Sequence, residues 1–244
     1  MAKARYAIYY MPEPDSKLWR CASKLLGWDS FQGVDVKPPK LDGIKPERLR
    51  EITASARHYG FHGTLKPPFY LSKTTDRAML DEALEAFAAG QKPFKVPALE
   101  LAELDGFIAL RPKKACEDLD AFAKTCVKSF DNFRAPPSAE ETQKRLKADL
   151  TKSQKKMLDK WGYPYVMDEF RFHMTLSERL KDKERKTVFD AIEPEIAKVL
   201  TDKSWTFNLI ALVRQKSKDE PFTVVKTYPL KPHAKSRWPL RKKK

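Results

Sequence analysis

"FHGTLKPPF" (residues 61–69) and "FHMTLSERL" (172–180) both spell Phe-His-x-Thr-Leu, with His173 lying 111 positions after His62 in a chain that holds four histidines. Side chains of an extended strand alternate between its two faces. Phe61, Gly63 and Leu65 then share one face, and His62, Thr64 and Lys66 the other. In the second stretch Phe172, Met174 and Leu176 oppose Arg171, His173, Thr175 and Ser177. Each strand therefore combines an apolar back with a polar front that carries His beside Thr. Folding alone gives no reason to build that front twice.

The segments downstream of the two motifs match as well. After the first strand, placed at about 57–65, the patterning predicts a helix over 76–89, a strand over 94–103 and a strand over 106–111, turning at Asp105-Gly106, a favoured hairpin dipeptide. After the second strand, at about 169–177, it predicts a helix over 183–199 and strands over 204–213 and 221–227. Phe94 lies 32 residues beyond His62 and Trp205 lies 32 beyond His173, each opening the next strand. Matching motif, order and offset point to an internal duplication. The fold class expected is α+β, with two pseudo-symmetric β-α-β-β lobes, a sheet in each, facing one another across a groove. One bilobal domain is expected over 1–230, with a first lobe at 57–133, a charged helical insert at 134–165 and a second lobe at 169–228. A basic tail, 231–244, follows. Ahead of the repeat come a strand at 5–11, a helix at 15–28 capped by Asp15 or Ser16, and a long Pro- and Gly-rich loop at 29–56 with one helical turn at 46–51.

Composition narrows the class. Of the 244 residues 41% are hydrophobic, enough for a packed core, and no apolar run nears the roughly 20 residues of a membrane span. "MAKARYAIYYMPEPD" lacks the apolar centre of a secretory signal, and Cys21, Cys116 and Cys126 show no C-x-x-C spacing. Reduced thiols and a cytoplasmic protein are the expectation. Net charge is +15, of which seven come from the tail "KPHAKSRWPLRKKK" (231–244), leaving +8 on residues 1–230. That excess favours an anionic partner, either a phosphorylated small molecule or RNA.

If the lobes face each other, His62 and His173 meet across the groove. Two imidazoles titrating near neutrality can serve as general base and general acid in one reaction. Thr64 and Thr175 offer hydroxyl donors to an oxyanion between them. This set suits in-line displacement at phosphorus. Two histidines with no carboxylate or cysteine at ligand spacing make a poor metal site, so no metal is expected.

Around this core, Lys66, Arg171 and Ser177 have groove-facing parity, and the two cations could pair with a phosphate. Arg179 shares that parity but falls beyond the expected strand end. Tyr6, Tyr9 and Tyr59 either line the groove or pack in the core. "FRAPP" (133–137) and "WGYPYV" (161–166) bracket the insert, where Arg134, Tyr163 and Tyr165 either form structural corners or reach a substrate's sugar or base.

Two HxTx motifs on duplicated β-α-β-β units resemble the two-histidine (2H) phosphoesterase superfamily, which includes RNA 2′,3′-cyclic phosphodiesterases. "RYAIYYMPEPDSKLWRCASKLLGWD", "YGFHGTLKPPF", "LDGFIAL", "FDNFRAP", "WGYPYV" and "FRFHMTLS" together resemble the branch often encoded with bacterial phosphonate-degradation genes. The resemblance runs to about residue 230 and departs at the basic "RKKK" end. It implies His62 and His173 as the catalytic pair, Thr64 and Thr175 as phosphate-binding hydroxyls, and no cofactor. The implied activity is opening a cyclic phosphodiester or cleaving a linear one, a ribose cyclic phosphate being one substrate it suggests. An RNA end-processing phosphodiesterase or ligase-like enzyme, and a non-catalytic RNA-binding module, stand as alternatives.

Overall fold

A computed structural model describes residues 4–231, so the basic tail from 232 onward lies outside the described residues. Strand β1 (Arg5–Tyr10) opens the chain and is buried along nearly its whole length. Helix α1 (Lys17–Leu26) starts where Ser16 Oγ accepts from the Trp19 amide, and it stops at Gly27, whose φ of 72° is the left-handed cap that glycine takes without strain. The short ribbon of β2 (Trp28–Asp29) and β3 (Val34–Asp35) leads into α2 (Pro46–Tyr59). This helix has 14 residues, where the sequence suggested a single turn at 46–51. Its apolar stripe is thin, with only Leu49, Ile52, Thr53 and Ala56 buried, and Pro46 sits in the first turn, where its missing N–H costs nothing. Residues 57–59, expected to begin the first motif strand, finish α2 instead.

The first repeat unit then reads β4 (Gly63–Tyr70), α3 (Arg77–Ala89), β5 (Phe94–Val96) and the hairpin of β6 (Leu99–Leu104) with β7 (Phe107–Pro112). Pro97 lacks an amide for the ladder and divides the expected 94–103 strand into β5 and β6. Helix α4 (Glu117–Ser129) closes this half. The insert folds as α5 (Ala139–Leu146) and α6 (Lys152–Trp161), each opened by a reciprocal capping box, Ser138 with Glu141 and Thr151 with Gln154. The second unit reads β8 (Met174–Thr175), α7 (Asp182–Ala197), β9 (Trp205–Phe207) and the hairpin of β10 (Leu209–Gln215) with β11 (Thr223–Pro229).

The fold is α+β, and the two units share one element order. Their hairpins, however, change places. The main sheet runs β11-β10-β1-β4-β8-β7-β6, so the β6–β7 hairpin of the first unit lies beside β8, and β10–β11 of the second lies on the β1–β4 side. Strands β4 and β8 meet antiparallel at the centre, and β5 and β9 pair antiparallel with each other. The result is one continuous seven-stranded sheet rather than a separate sheet in each unit. The back core gathers Phe94, Phe122 and Phe207, whose rings pack within 6 Å of one another.

Candidate active site

The site is built at the single register pair where the two motifs meet, Gly63 opposite Met174. Continuing that antiparallel register sets His62 across from Thr175 and Thr64 across from His173. Four polar side chains therefore share one face of adjacent strands, with the two histidines on one diagonal and the two threonines on the other.

Each imidazole is held in the same way. His62 Nδ1 lies 2.9 Å from the Gly60 carbonyl, and His173 Nδ1 lies 2.7 Å from the Arg171 carbonyl. A carbonyl only accepts, so both rings donate from Nδ1 and leave Nε2 for chemistry. His62 Nε2 lies 3.0 Å from Thr64 Oγ1. Gly60 supplies its carbonyl from a backbone at φ 74°, with the Ser30 side chain filling the space where a Cβ would go.

Burial pushes His62 down to about 4; its bond to Gly60 opposes this, and the charge of His173 adds to it. His173 is also lowered by burial, against the opposing pull of its Arg171 bond and the Asp105 carboxylate. The two frames are equal in sequence yet unequal in surroundings.

A cleft of about 320 Å³ opens beside the pair, lined by Thr64, His173, Arg171, Arg179, Tyr163 and Phe107 among others. The insert delivers one wall. Gln154 donates to Glu169, Arg145 lies over the Tyr163 ring at 4.7 Å, and Tyr163, Tyr165 and Val166 reach the cleft. Arg171 and Tyr163 thus lie where a substrate could touch them. Arg179 does too, although β8 ends at Thr175 and it lies beyond the strand whose parity it shares.

Other expected contacts lie elsewhere. Between Tyr9↔Thr64 and Ile8↔Lys66 the β1–β4 register shifts, one step on β1 spanning two on β4. This bulge puts Leu65 in the cleft wall and turns Lys66 to the side of Ile8. Lys66 is 1% exposed, and its ammonium donates to Val127 O at 3.4 Å and Asp131 Oδ1 at 3.2 Å. Arg134 grips Asp131 from the other side and donates to the Lys160 carbonyl, so it ties α6 to the body. Ser177 is buried, accepting from the Ile108 amide and donating to Glu178 O. Tyr6 is buried in the sheet between Phe69 and Arg214, and Tyr59 stacks on Phe222 at 5.5 Å. Lys66, Arg134, Ser177 and Tyr6 are therefore structural rather than groove-facing.

The lysine's place makes a clean test. Lys66→Met keeps volume and removes a buried charge, so stability and turnover should stay near wild type. Asp131→Asn strips the buried ammonium of its counter-charge and should cost about 2 kcal/mol, read as a lower denaturant midpoint. A large loss of substrate affinity in Lys66→Met would restore it to the site.

Among the described residues, no group of three or more His, Cys, Asp or Glu side chains is gathered where it could hold a metal ion, and no helix is long and apolar enough to cross a membrane.

Comparison with known proteins adds a family. Residues 64–223 match the family described as protein of unknown function (DUF1045). The ribose 1,5-bisphosphate phosphokinase PhnN of Janthinobacterium sp. (strain Marseille) is 33% identical over 221 residues, covering 89% of this chain and 49% of that protein. Its namesake in Laribacter hongkongensis (strain HLHK9) is 32% identical over 178 residues, covering 73% of this chain and 41% of that one. The chain thus spans about half the length or less of these relatives. Among solved structures, E. coli LigT complexed with 3′-AMP aligns over 94% of this chain and 99% of its own at 12% identity and a TM-score of 0.40. TT0787 of Thermus thermophilus aligns over 94% and 100% at 15% identity and a TM-score of 0.43.

Proposed function

The chain belongs to the DUF1045 family, and from that premise we propose that it is a metal-independent 2H-type phosphodiesterase. It opens a cyclic, or cleaves a linear, phosphodiester of a small phosphorylated sugar or nucleotide by general acid–base catalysis between His62 and His173. The observation that carries this reading is the matched tethering of both Nδ1 atoms to backbone carbonyls, which leaves both Nε2 atoms for chemistry, that of His62 3.0 Å from the Thr64 hydroxyl. In the reaction one neutral Nε2 takes a proton from water as its oxygen attacks phosphorus. The P–O bond opposite breaks, and the other imidazolium gives its proton to the departing alkoxide. Thr64 and Thr175 donate to the non-bridging oxygens, and Arg171 and Arg179 balance the phosphate's charge.

The cleft volume suits a sugar phosphate or a nucleotide, at the small end of ligand sites. The name of the longer relatives, ribose 1,5-bisphosphate phosphokinase, supports a ribose cyclic phosphate as the first substrate to try, within phosphonate metabolism. Chelator-treated protein would be assayed on ribose cyclic phosphates, nucleoside 2′,3′-cyclic phosphates and short RNAs with cyclic ends. Turnover of a small cyclic phosphate is expected. Preference for RNA would shift the reading to end-processing, and activity that chelation removes and metal restores would overturn it.

The pH profile follows from the histidines. Both lie below the ordinary value of 6.5 in the free protein, His62 at about 4. Acid–base chemistry needs one ring neutral and one protonated, so kcat/KM should peak between about 4 and 6.5. It falls on the acid side as the second ring gains a proton, and on the alkaline side as the last proton leaves. The negative charge of a bound phosphodiester raises both rings, so kcat should peak at higher pH. A kcat/KM profile centred above pH 7 would show that burial does not hold the two rings below 6.5.

A further inference from the structure

We propose that Tyr9 is a positioning residue for His62, its ring face holding the imidazole in plane and stabilising it whenever it carries a proton. The two rings stack with centroids 3.7 Å apart and planes 21° apart. Tyr9 is fully buried at the centre of the sheet, opposite Thr64 on one side and Ala211 on the other, so its ring has no room to swing away. Its hydroxyl finds no protein partner among the described residues, so the effect runs through the ring and not through a hydrogen bond.

The groups that face His62 are few. They are Tyr9 from β1, Tyr59 at the end of α2 (6.4 Å and tilted), the Gly60 carbonyl that follows it, Thr64 of β4 and His173 just ahead of β8. No carboxylate acts on it among the described residues. Beside the Gly60 carbonyl, the electron-rich face of Tyr9 is the group set to favour its imidazolium, since a cation over an aromatic face is attracted by the ring's quadrupole. His173 is served differently. Phe107 meets it at 5.4 Å with planes 51° apart, and the Asp105 carboxylate favours its proton. Two rings with near-identical sequence frames thus receive charge support of different kinds, a stacked phenol for one and a carboxylate for the other. Whether His62 acts as acid or as base, it passes through the protonated state in each turnover.

The proposal rests on the phosphodiesterase reading only for its kinetic arm. The direct test is NMR titration of ¹³C-histidine in the free protein, comparing wild type, Tyr9→Phe, Tyr9→Met and chains with progressively fluorinated phenylalanine at position 9. Fluorination keeps ring shape while draining charge from its face, so the test survives even if Tyr9→Met fails to fold. Tyr9→Phe should hold the His62 midpoint within about 0.3 of a pH unit, and full fluorination should lower it by about one. On a substrate that turns over, kcat/KM should fall in the same order, by about tenfold across the series. A midpoint indifferent to fluorination would overturn the proposal. So would a Tyr9→Phe effect as large as that of full fluorination, which would assign the role to the hydroxyl. Midpoints that move as expected in a protein that turns over no phosphodiester would support Tyr9's role while refuting the phosphodiesterase reading.

Discussion

Alanine in place of His62 or of His173 is expected to lower kcat by about 10³- to 10⁴-fold on a phosphodiester with an alkoxide leaving group, the upper range for losing one proton-transfer group. The protein should still fold, because His173 lines the cleft and each ring's tether runs to a carbonyl only two residues away in the chain. Removing both should cost little more than removing one, since acid and base act as a unit and the residual rate comes from the threonines and arginines. A p-nitrophenyl ester separates the roles. Its leaving group departs without a proton, so the variant lacking the acid should recover most of its rate there, while the variant lacking the base should not. Equal losses on both substrates would mean that neither histidine is the acid. A single variant keeping more than about a tenth of wild-type turnover would remove that residue from the chemistry altogether.

The legible part of the sequence was its repeat. The strand–helix–strand–hairpin order appears twice because each unit carries its own periodicity, and the front face of His62, Thr64, His173 and Thr175 follows from alternation alone. Parity failed where local backbone departs from the pleat. Lys66 left the groove because Pro67 and Pro68 offer β1 no amide, and the ladder bulges just before them. Ser177 and Arg179 lie past a β8 of only two residues, so alternation says nothing about either. Arg134 looked like a ligand for phosphate because its partner, Asp131, is three residues away on a 3-10 turn that composition does not reveal. The exchange of hairpins between units was equally hidden, since strand pairing at long range leaves no mark on either strand's own pattern. Tyr9 beside His62 is a case of this kind: 53 residues separate them, and only the β1–β4 pairing brings their rings together.

Gly63→Ala should be strongly damaging, costing about 3 kcal/mol, the top of the range for overpacking, and about 10 °C in Tm. Gly63 has ordinary extended backbone, so the reason is space and not φ. The Phe172 ring lies directly over it, and a Cβ there would stand 2.5 Å from Phe172 Cζ. Phe172 is itself 7% exposed and hemmed in by Tyr10 at 5.9 Å and Trp205 at 6.3 Å, so it cannot simply rotate away. The strain must then part β4 from β8 or push Phe172 aside. Either movement displaces His62 and Thr64 relative to His173, and a misplacement near 1 Å is enough to cost about 100-fold in turnover. Phe172→Leu should be mildly destabilising alone yet should recover most of the loss when combined with Gly63→Ala, a coupling that a double-mutant cycle would read directly. Wild-type melting of Gly63→Ala would show that the ring yields freely and that the argument is wrong. The same crowding accounts for the one difference within the two motifs. Gly63 and Met174 face each other across the register pair on the back of the sheet, and with Met174 fully buried and Phe172 alongside, only one of the two x positions of His-x-Thr has room for a side chain.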